Sequence, residues 1–304
     1  MREQFSVRIE DILRGQILAI ILPTIRTRFP RMHRLLLNLR DRLLPLPKGC
    51  SLTRYQYRAV QKFISLAEPL GALDAVLEIG SDTAGQVMDE LVARGVKMVV
   101  GANPIVEAAH RFRELPVGSS DAHLSQSDAR WLPFPSETFT SIFSVAAFEH
   151  IQNLDQALLE LHRVLKDGGV LYAEFGPIWS CSVGHHVYAK VNGEEARHWK
   201  PGLNPVPNYG HLFLSPEEME DKLSAKVSAR LLEAIIEWIY TKEDINRLFY
   251  EDYVRILHAS PFKVLSLRPV RERVNHRIQM ELERMYPGRQ EFGCRIIEVA
   301  LMKR

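Results

Sequence analysis

The stretch VLEIGSDTA at residues 76–84, with Gly85 following, decides the fold. An apolar strand ends in an acid and a glycine, and a helical pattern begins at Gln86 after a short turn. Such a turn sets the N-terminus of the first helix, with its free backbone N–H groups, against the C-terminal edge of a parallel sheet, where ligands bind. Gly80 lets the backbone approach a ligand that a side chain would hold off. Strand–glycine–helix turns also occur as plain structure, so the reading depends on what surrounds this one.

Downstream the alternation is regular. Strands are expected at 75–79, 97–101, 124–127, 139–145 and 170–175, and helices at 84–94, 105–112 and 154–165, the last stopped by Asp167-Gly168-Gly169. Strands joined by helical crossovers of this length form a parallel sheet with right-handed connections. Residues 176–211 read as an irregular excursion rich in aromatic residues and histidine. Ser215, Pro216 and Glu218 then spell a capping box with proline at the first helical position. Helices are expected at 231–240 and from Thr241 and Asp244 to about 258. Late strands at 262–268 and 294–302, joined by a charged helical stretch at 271–285, bring the count to seven, the last two antiparallel at one edge.

Upstream, 5–22 and 31–44 read as helices parted by Pro23 and Pro30, and a third covers 53–70. Leu35, Leu36, Leu37, Leu39, Leu43 and Leu44 give the second a wide apolar face that needs a partner. The expected organisation is therefore a helical cap over 1–70 and an α/β core over 71–304. That core is a Rossmann-like, seven-stranded, mostly parallel sheet with helices on both faces and an insertion at about 176–260.

Cys50, Cys181 and Cys294 lie far apart, with no CxxC or Cys/His cluster, so neither a disulfide framework nor structural zinc is indicated and a reducing cytoplasm is the expected setting. The formal charge of +2 hides an asymmetry: residues 1–50 hold ten Lys/Arg against four Asp/Glu, a net of +6, on a body of net −4. A basic lobe of this kind attracts an anionic substrate or a lipid surface, or docks on the acidic body. No aromatic residues alternate with the basic run, so nucleic acid is not an expected partner. The apolar run at 17–23 is too short to span a bilayer and carries no cleavage pattern, which leaves peripheral membrane contact through 1–50 as the membrane option.

VLEIG at 76–80, SDA at 127–129, LPFPSETFTSIFS at 132–144, FEH at 148–150 and RVLKDGG at 163–169, in this order, resemble the class I S-adenosylmethionine-dependent methyltransferases, in particular a small-molecule subgroup with LPF and RVLKPGG segments. The resemblance covers about 70–175. It implies S-adenosylmethionine as cofactor, with Glu78 reaching its ammonium, the Gly80–Ser81 backbone near its carboxylate, and Asn103 at the ribose hydroxyls. Asp128 would then accept from the adenine amino group, Ala129 and Arg130 would run along the ring, and Val145 and Ala146 would lie beneath the sulfonium. An acceptor-only carboxylate suits an exocyclic amine. Three positions depart from the family: Asp82 and Ala84 replace glycines, and Asn103 replaces an acid. Asp82 adds charge beside the cofactor's carboxylate, and Asn103 gives up charge-assisted strength.

For the acceptor, PIWSCSVGHHVY at 177–188 follows strand five on the ligand-binding edge. Histidine can take a proton near neutral pH, and His150 and His185 are the candidate bases. His186 and His211 are candidate substrate contacts, with an aromatic enclosure drawn from Trp179, Tyr188, Trp199, Tyr209 and one of Tyr55 and Tyr57. No HxH or HExxH spacing points to a metal. The expected activity is methyl transfer to an O, N or S atom of a small molecule by a monomer or homodimer. Two alternatives stay open: cyclisation of the cofactor to azetidine-2-carboxylate with release of methylthioadenosine, and a non-catalytic scaffold that keeps the fold.

Overall fold

The computed structural model describes residues 46–47, 49–82, 84–105 and 121–304. The expected helices at 5–22 and 31–44, and that at 105–112 beyond Ile105, lie outside the described residues. The chain divides into two compact units, Met1–Arg54 and Tyr55–Arg304. The second contains the sheet.

Seven strands run β1 (Ala75–Ile79), β2 (Met98–Asn103), β3 (Asp121–Gln126), β4 (Phe139–Val145), β5 (Leu165–Phe175), β8 (Lys263–Arg271) and β9 (Cys294–Met302), in the spatial order β3-β2-β1-β4-β5-β9-β8. β1 to β5 are parallel, and β9 pairs antiparallel with both β5 and β8. This is the expected Rossmann-like, seven-stranded, mostly parallel sheet. The chain runs outward from β1 through β2 to β3 and then returns to β1's other side with β4, so a topological switch point lies between β1 and β4.

Alternation along the strands assigns the two faces. Ile142 of β4 packs with Leu77 and with Leu154, Ala157, Leu158, Leu161 and Val164 of helix α3 (Leu154–Val164), all buried. These positions follow the i, i+3, i+4 period of an amphipathic helix, and each leucine buried this way stabilises by about 1.5–3 kcal/mol. Phe143, one residue on from Ile142, faces the other way onto Phe63 of helix α1 (Arg54–Ala67), ring centroids 5.1 Å apart. Lys62 of α1 donates to the carboxylates of Glu174 and Glu298. Helix α2 (Gln86–Ala93) follows the glycine turn.

Two stretches depart from the expected pattern. The 176–211 excursion contains a hairpin, β6 (Tyr188–Val191) and β7 (Glu194–Arg197), which turns at Asn192-Gly193 with both residues at positive φ. That Asn-Gly pair is the sequence signature of a two-residue hairpin loop. The helix expected from Thr241 and Asp244 begins only at Tyr250, as α6 (Tyr250–Ala259). Arg247 stands at a φ of 55°, and the side chain of Asn246 bonds to the Phe148 carbonyl, so 242–249 is a loop. The capping box at Ser215 opens α4 (Pro216–Leu223) as expected, and α5 (Ala229–Ile236) and α7 (His276–Met285) complete the labelled helices. Together the hairpin, α4 and α5 enclose a second apolar core around Leu212, Met219, Leu231 and Ile235.

Candidate active site

A cleft of about 450 Å³ opens at the C-terminal ends of β1, β2 and β4, at the switch point. Gly80 forms its floor at φ 83°, and a Cβ there would overlap the methyl of Ala147, so the turn needs glycine for both conformation and space. Of the residues expected from the sequence, Gly80, Asn103, Asp128, Ala129, Arg130, Ala146 and His150 line this cleft. Glu78, Ser81, Asp82 and Val145 stand outside its lining.

Glu78 is buried at the end of β1, and its Oε2 has no hydrogen-bond partner among the described residues. Burial pushes its acid up to about 8; Ser81 opposes that shift and the charge of Asp82 adds to it. A carboxyl group held this way takes up its full charge only beside a cation. Asp82 turns instead to the helix, where Oδ1 accepts from the backbone N–H of Gln86 at 3.3 Å. Asn103 explains its own departure from an acid. Its Nδ2 donates to the carbonyl of Ser81 at 2.7 Å and its Oδ1 accepts from Ile105 N–H at 2.8 Å, which ties β2 to the glycine turn. A carboxylate has no hydrogen to offer Ser81.

Asp128 accepts from Arg130 three times: Oδ1 from the backbone N–H at 2.9 Å and from Nε at 3.0 Å, Oδ2 from Nη2 at 2.7 Å. These bonds hold its carboxyl below the ordinary range. Asp128 thus caps its own turn while facing the cleft, and Oδ2, with one bond, keeps lone-pair capacity for an N–H donor. The Arg130 guanidinium lies 4.6 Å over the Trp131 ring.

The opposite wall contains residues that the sequence did not single out: Gln152, Glu243 and Asp244, the last two from the 242–249 loop. The Nδ1–H of His150 donates to the carbonyl of Asp244 at 2.7 Å, and the Asp244 carboxylate lies 3.5 Å from the same nitrogen. A carbonyl only accepts, so the proton sits on Nδ1 and Nε2 is the basic nitrogen. Burial by itself would lower the imidazole, but the Asp244 bonds and the charge of Glu149 outweigh it and raise His150 to about 9. At neutral pH the ring is therefore an imidazolium in the free protein.

Four other histidines, the buried His185, His186 and His211 and the half-buried His198, form a group beside it. His186 lies 5.1 Å from the His150 ring and stacks on His198 at 4.6 Å, while His185 and His211 are 5.5 Å apart. Burial lowers His185, His186, His198 and His211, so all four are neutral. His185 is fully buried, and its Nδ1 accepts from Val187 N–H at 3.1 Å; the rings of His186 and His211 donate to the carbonyls of Pro177 and Trp179. These three organise the 177–188 backbone and do not line the cleft. Among the described residues, no group of three or more His, Cys, Asp or Glu is arranged to hold a metal ion.

The aromatic enclosure is not assembled around the cleft. Tyr209 is buried and donates to the carbonyl of Phe292 at 3.1 Å, Trp179 packs on His211 in the second core, and Tyr188 and Trp199 stack on each other at the surface. Trp179, Tyr188 and Trp199 find these partners within the insertion, and Tyr209 finds its own at Phe292 beyond it, so the rings are satisfied away from the cleft. Tyr57 lies under the Arg94 guanidinium, 5.1 Å from its ring centre, by α2. Tyr55 alone reaches the sheet edge, donating to the carbonyl of Glu174 at 2.8 Å, the same oxygen that accepts from Ala146 N–H.

Residues 77–173 match the sequence model of a family described as methyltransferase domain. A sterol 24-C-methyltransferase from Pneumocystis carinii is 29% identical over 118 residues, 38% of this chain and 31% of that protein. A ubiquinone/menaquinone biosynthesis C-methyltransferase from Nitrosospira multiformis is 31% identical over 110 residues, 35% of this chain and 45% of that protein. The chain thus spans less than half the length of these curated relatives. An S-adenosylmethionine-dependent methyltransferase from Mesorhizobium loti is similar in structure over 82% of this chain and 98% of its own, with a TM-score of 0.47 and 13% identity.

Proposed function

We propose that the cleft binds S-adenosylmethionine and that the chain transfers its methyl group to an O, N or S atom of a small molecule. The observation that carries this reading is the placement, at one switch point, of the Gly80 turn, the buried acid of Glu78 with its Oε2 unbonded, and the acceptors of Asn103 and Asp128. Glu78, a buried acid with no cation beside it among the described residues, fits a ligand that bears an ammonium. Both curated relatives named above carry methyl groups to carbon, which favours a second reading with a carbon acceptor at the same site.

The bound cofactor supplies a methyl group already activated for in-line displacement. The acceptor's proton has to leave before or during attack, and His150, in its neutral form, stands on the cleft wall to take it. Asp244 fixes the tautomer so that Nε2 is free to accept. Beside a second positive charge the His150 imidazolium is disfavoured, so the ring gives up its proton more readily in the loaded site than in the free protein. Glu78 responds in the opposite sense, because a neighbouring cation favours its ionised form.

Glu78 therefore makes cofactor binding depend on pH. Its acid stands at about 8, so at pH 7 it is mostly protonated, and pairing with the ammonium must release that proton. Affinity is expected to rise with pH up to about 8 and then level off. Calorimetry at pH 7 in two buffers of different ionisation enthalpy should show proton release, and Glu78→Gln should remove both the release and the rise. Binding with no proton release and no pH dependence in the parent would refute the pairing of Glu78 with the ammonium; no saturable binding at all would refute the cofactor assignment.

A further inference from the structure

Asn246 lies in the 242–249 loop and uses its whole hydrogen-bonding capacity to hold that loop against the segment after β4. Its backbone N–H donates to the carbonyl of Glu149 at 2.9 Å, and its Nδ2 donates to the carbonyls of Phe148 at 2.8 Å and Ile151 at 3.1 Å. Its Oδ1 accepts from the Tyr253 hydroxyl at 2.8 Å and from Leu248 N–H at 3.2 Å. A primary amide offers two donors and one oxygen with two lone pairs, so no other side chain of this size can make the same set. Gln152 adds one more tie, its Nε2 donating to the carbonyl of Glu243 at 2.9 Å.

Two residues before Asn246, Asp244 makes both of the loop's contacts to His150, through its carbonyl at 2.7 Å and its carboxylate at 3.5 Å. We propose that Asn246 is a positioning residue: by pinning the loop to 148–151 it holds Asp244 against His150 and so fixes which imidazole nitrogen carries the proton and how firmly the ring keeps its charge. This rests on the reading of His150 as the proton acceptor of the cleft. The other groups facing His150 do not substitute for Asp244. Glu149, on the same turn as His150, also raises it but does so whether or not the loop is held; His186 and His198 are neutral; Lys242 and Glu243, just before Asp244, carry opposite charges.

The experiment is a nuclear magnetic resonance titration of the His150 ring in the cofactor-free protein, with folding checked by circular dichroism. The parent should titrate near 9. Asn246→Ala should lower that midpoint by about one to two pH units, toward the ordinary histidine value of about 6.5. A folded Asn246→Ala protein with an unchanged midpoint would overturn the proposal. Nitrogen-15 shifts of His150 in the unaltered protein above its midpoint supply a second reading that needs no variant: Nδ1–H with a bare Nε2 is expected, and the reverse tautomer would overturn the proposal even if Asn246→Ala does not fold. Neither readout involves the cofactor, so failure of the methyltransferase reading, seen as absent cofactor binding, is distinguishable from failure of this one.

Discussion

Replacing His150 with alanine is expected to lower turnover by about 10²–10⁴-fold, the usual worth of a positioned general base. The geometry behind this figure is specific. His150 stands on the cleft wall with Nδ1 held by Asp244, which leaves Nε2 to accept. The rate should rise with pH as the imidazolium loses its proton, because the protonated ring has no lone pair to accept with. For the free protein this limb centres near 9, and it lies lower in the loaded site, where a second positive charge disfavours the imidazolium. His150→Ala should abolish the limb. His185, the other candidate from the sequence, is fully buried with Nδ1 occupied by Val187 N–H, so His185→Ala should leave the limb in place. Turnover can be followed as transfer of labelled methyl into extract metabolites. If neither substitution changes the rate more than a few-fold and the acidic limb persists in both, histidine base catalysis is wrong and alignment alone carries the reaction.

Asp128→Ala should weaken S-adenosylmethionine binding by roughly 10- to 150-fold, equivalent to about 1.5–3 kcal/mol for a lost bond to a charged acceptor. The substitution acts twice. It removes the acceptor proposed to face adenine, and it releases Arg130, whose backbone N–H, Nε and Nη2 all bond to Asp128 in the parent. Asp128→Asn separates the two effects, since its amide oxygen can still accept from the Arg130 backbone while the charge is gone. Calorimetric affinity unchanged in a folded Asp128→Ala protein would sink the adenine assignment.

Local pattern made much of the fold legible. The strands at 75–79, 139–145 and 294–302 were readable to the residue because each is an apolar, β-branched or aromatic run bounded by turn residues, and the Ser215 capping box marked its helix unambiguously. The glycine turn and Asp128 were legible for the same reason, as local sequence in a fixed order. The opposite wall of the cleft was not. Asp244 and Asn246 read locally as the opening of a helix, and only bonds to Phe148, Glu149 and Ile151, nearly a hundred positions away in sequence, draw them out of it. The aromatic residues of the insertion misled in the converse way: their density suggests a binding enclosure, but a second apolar core absorbs Trp179 and Tyr209. The Asn192-Gly193 pair carried a hairpin signal that the surrounding histidines and tryptophans obscured.

The sulfur product tests the central claim most directly. The protein is incubated with S-adenosylmethionine labelled at the methyl group and a cell extract, and the mixture is resolved by mass spectrometry. Methyl transfer predicts S-adenosylhomocysteine in proportion to a labelled acceptor, with both lost in the absence of extract. Methylthioadenosine formed without a second substrate would contradict the account in favour of cyclisation, and saturable cofactor binding with neither product would contradict it in favour of a fold kept without turnover.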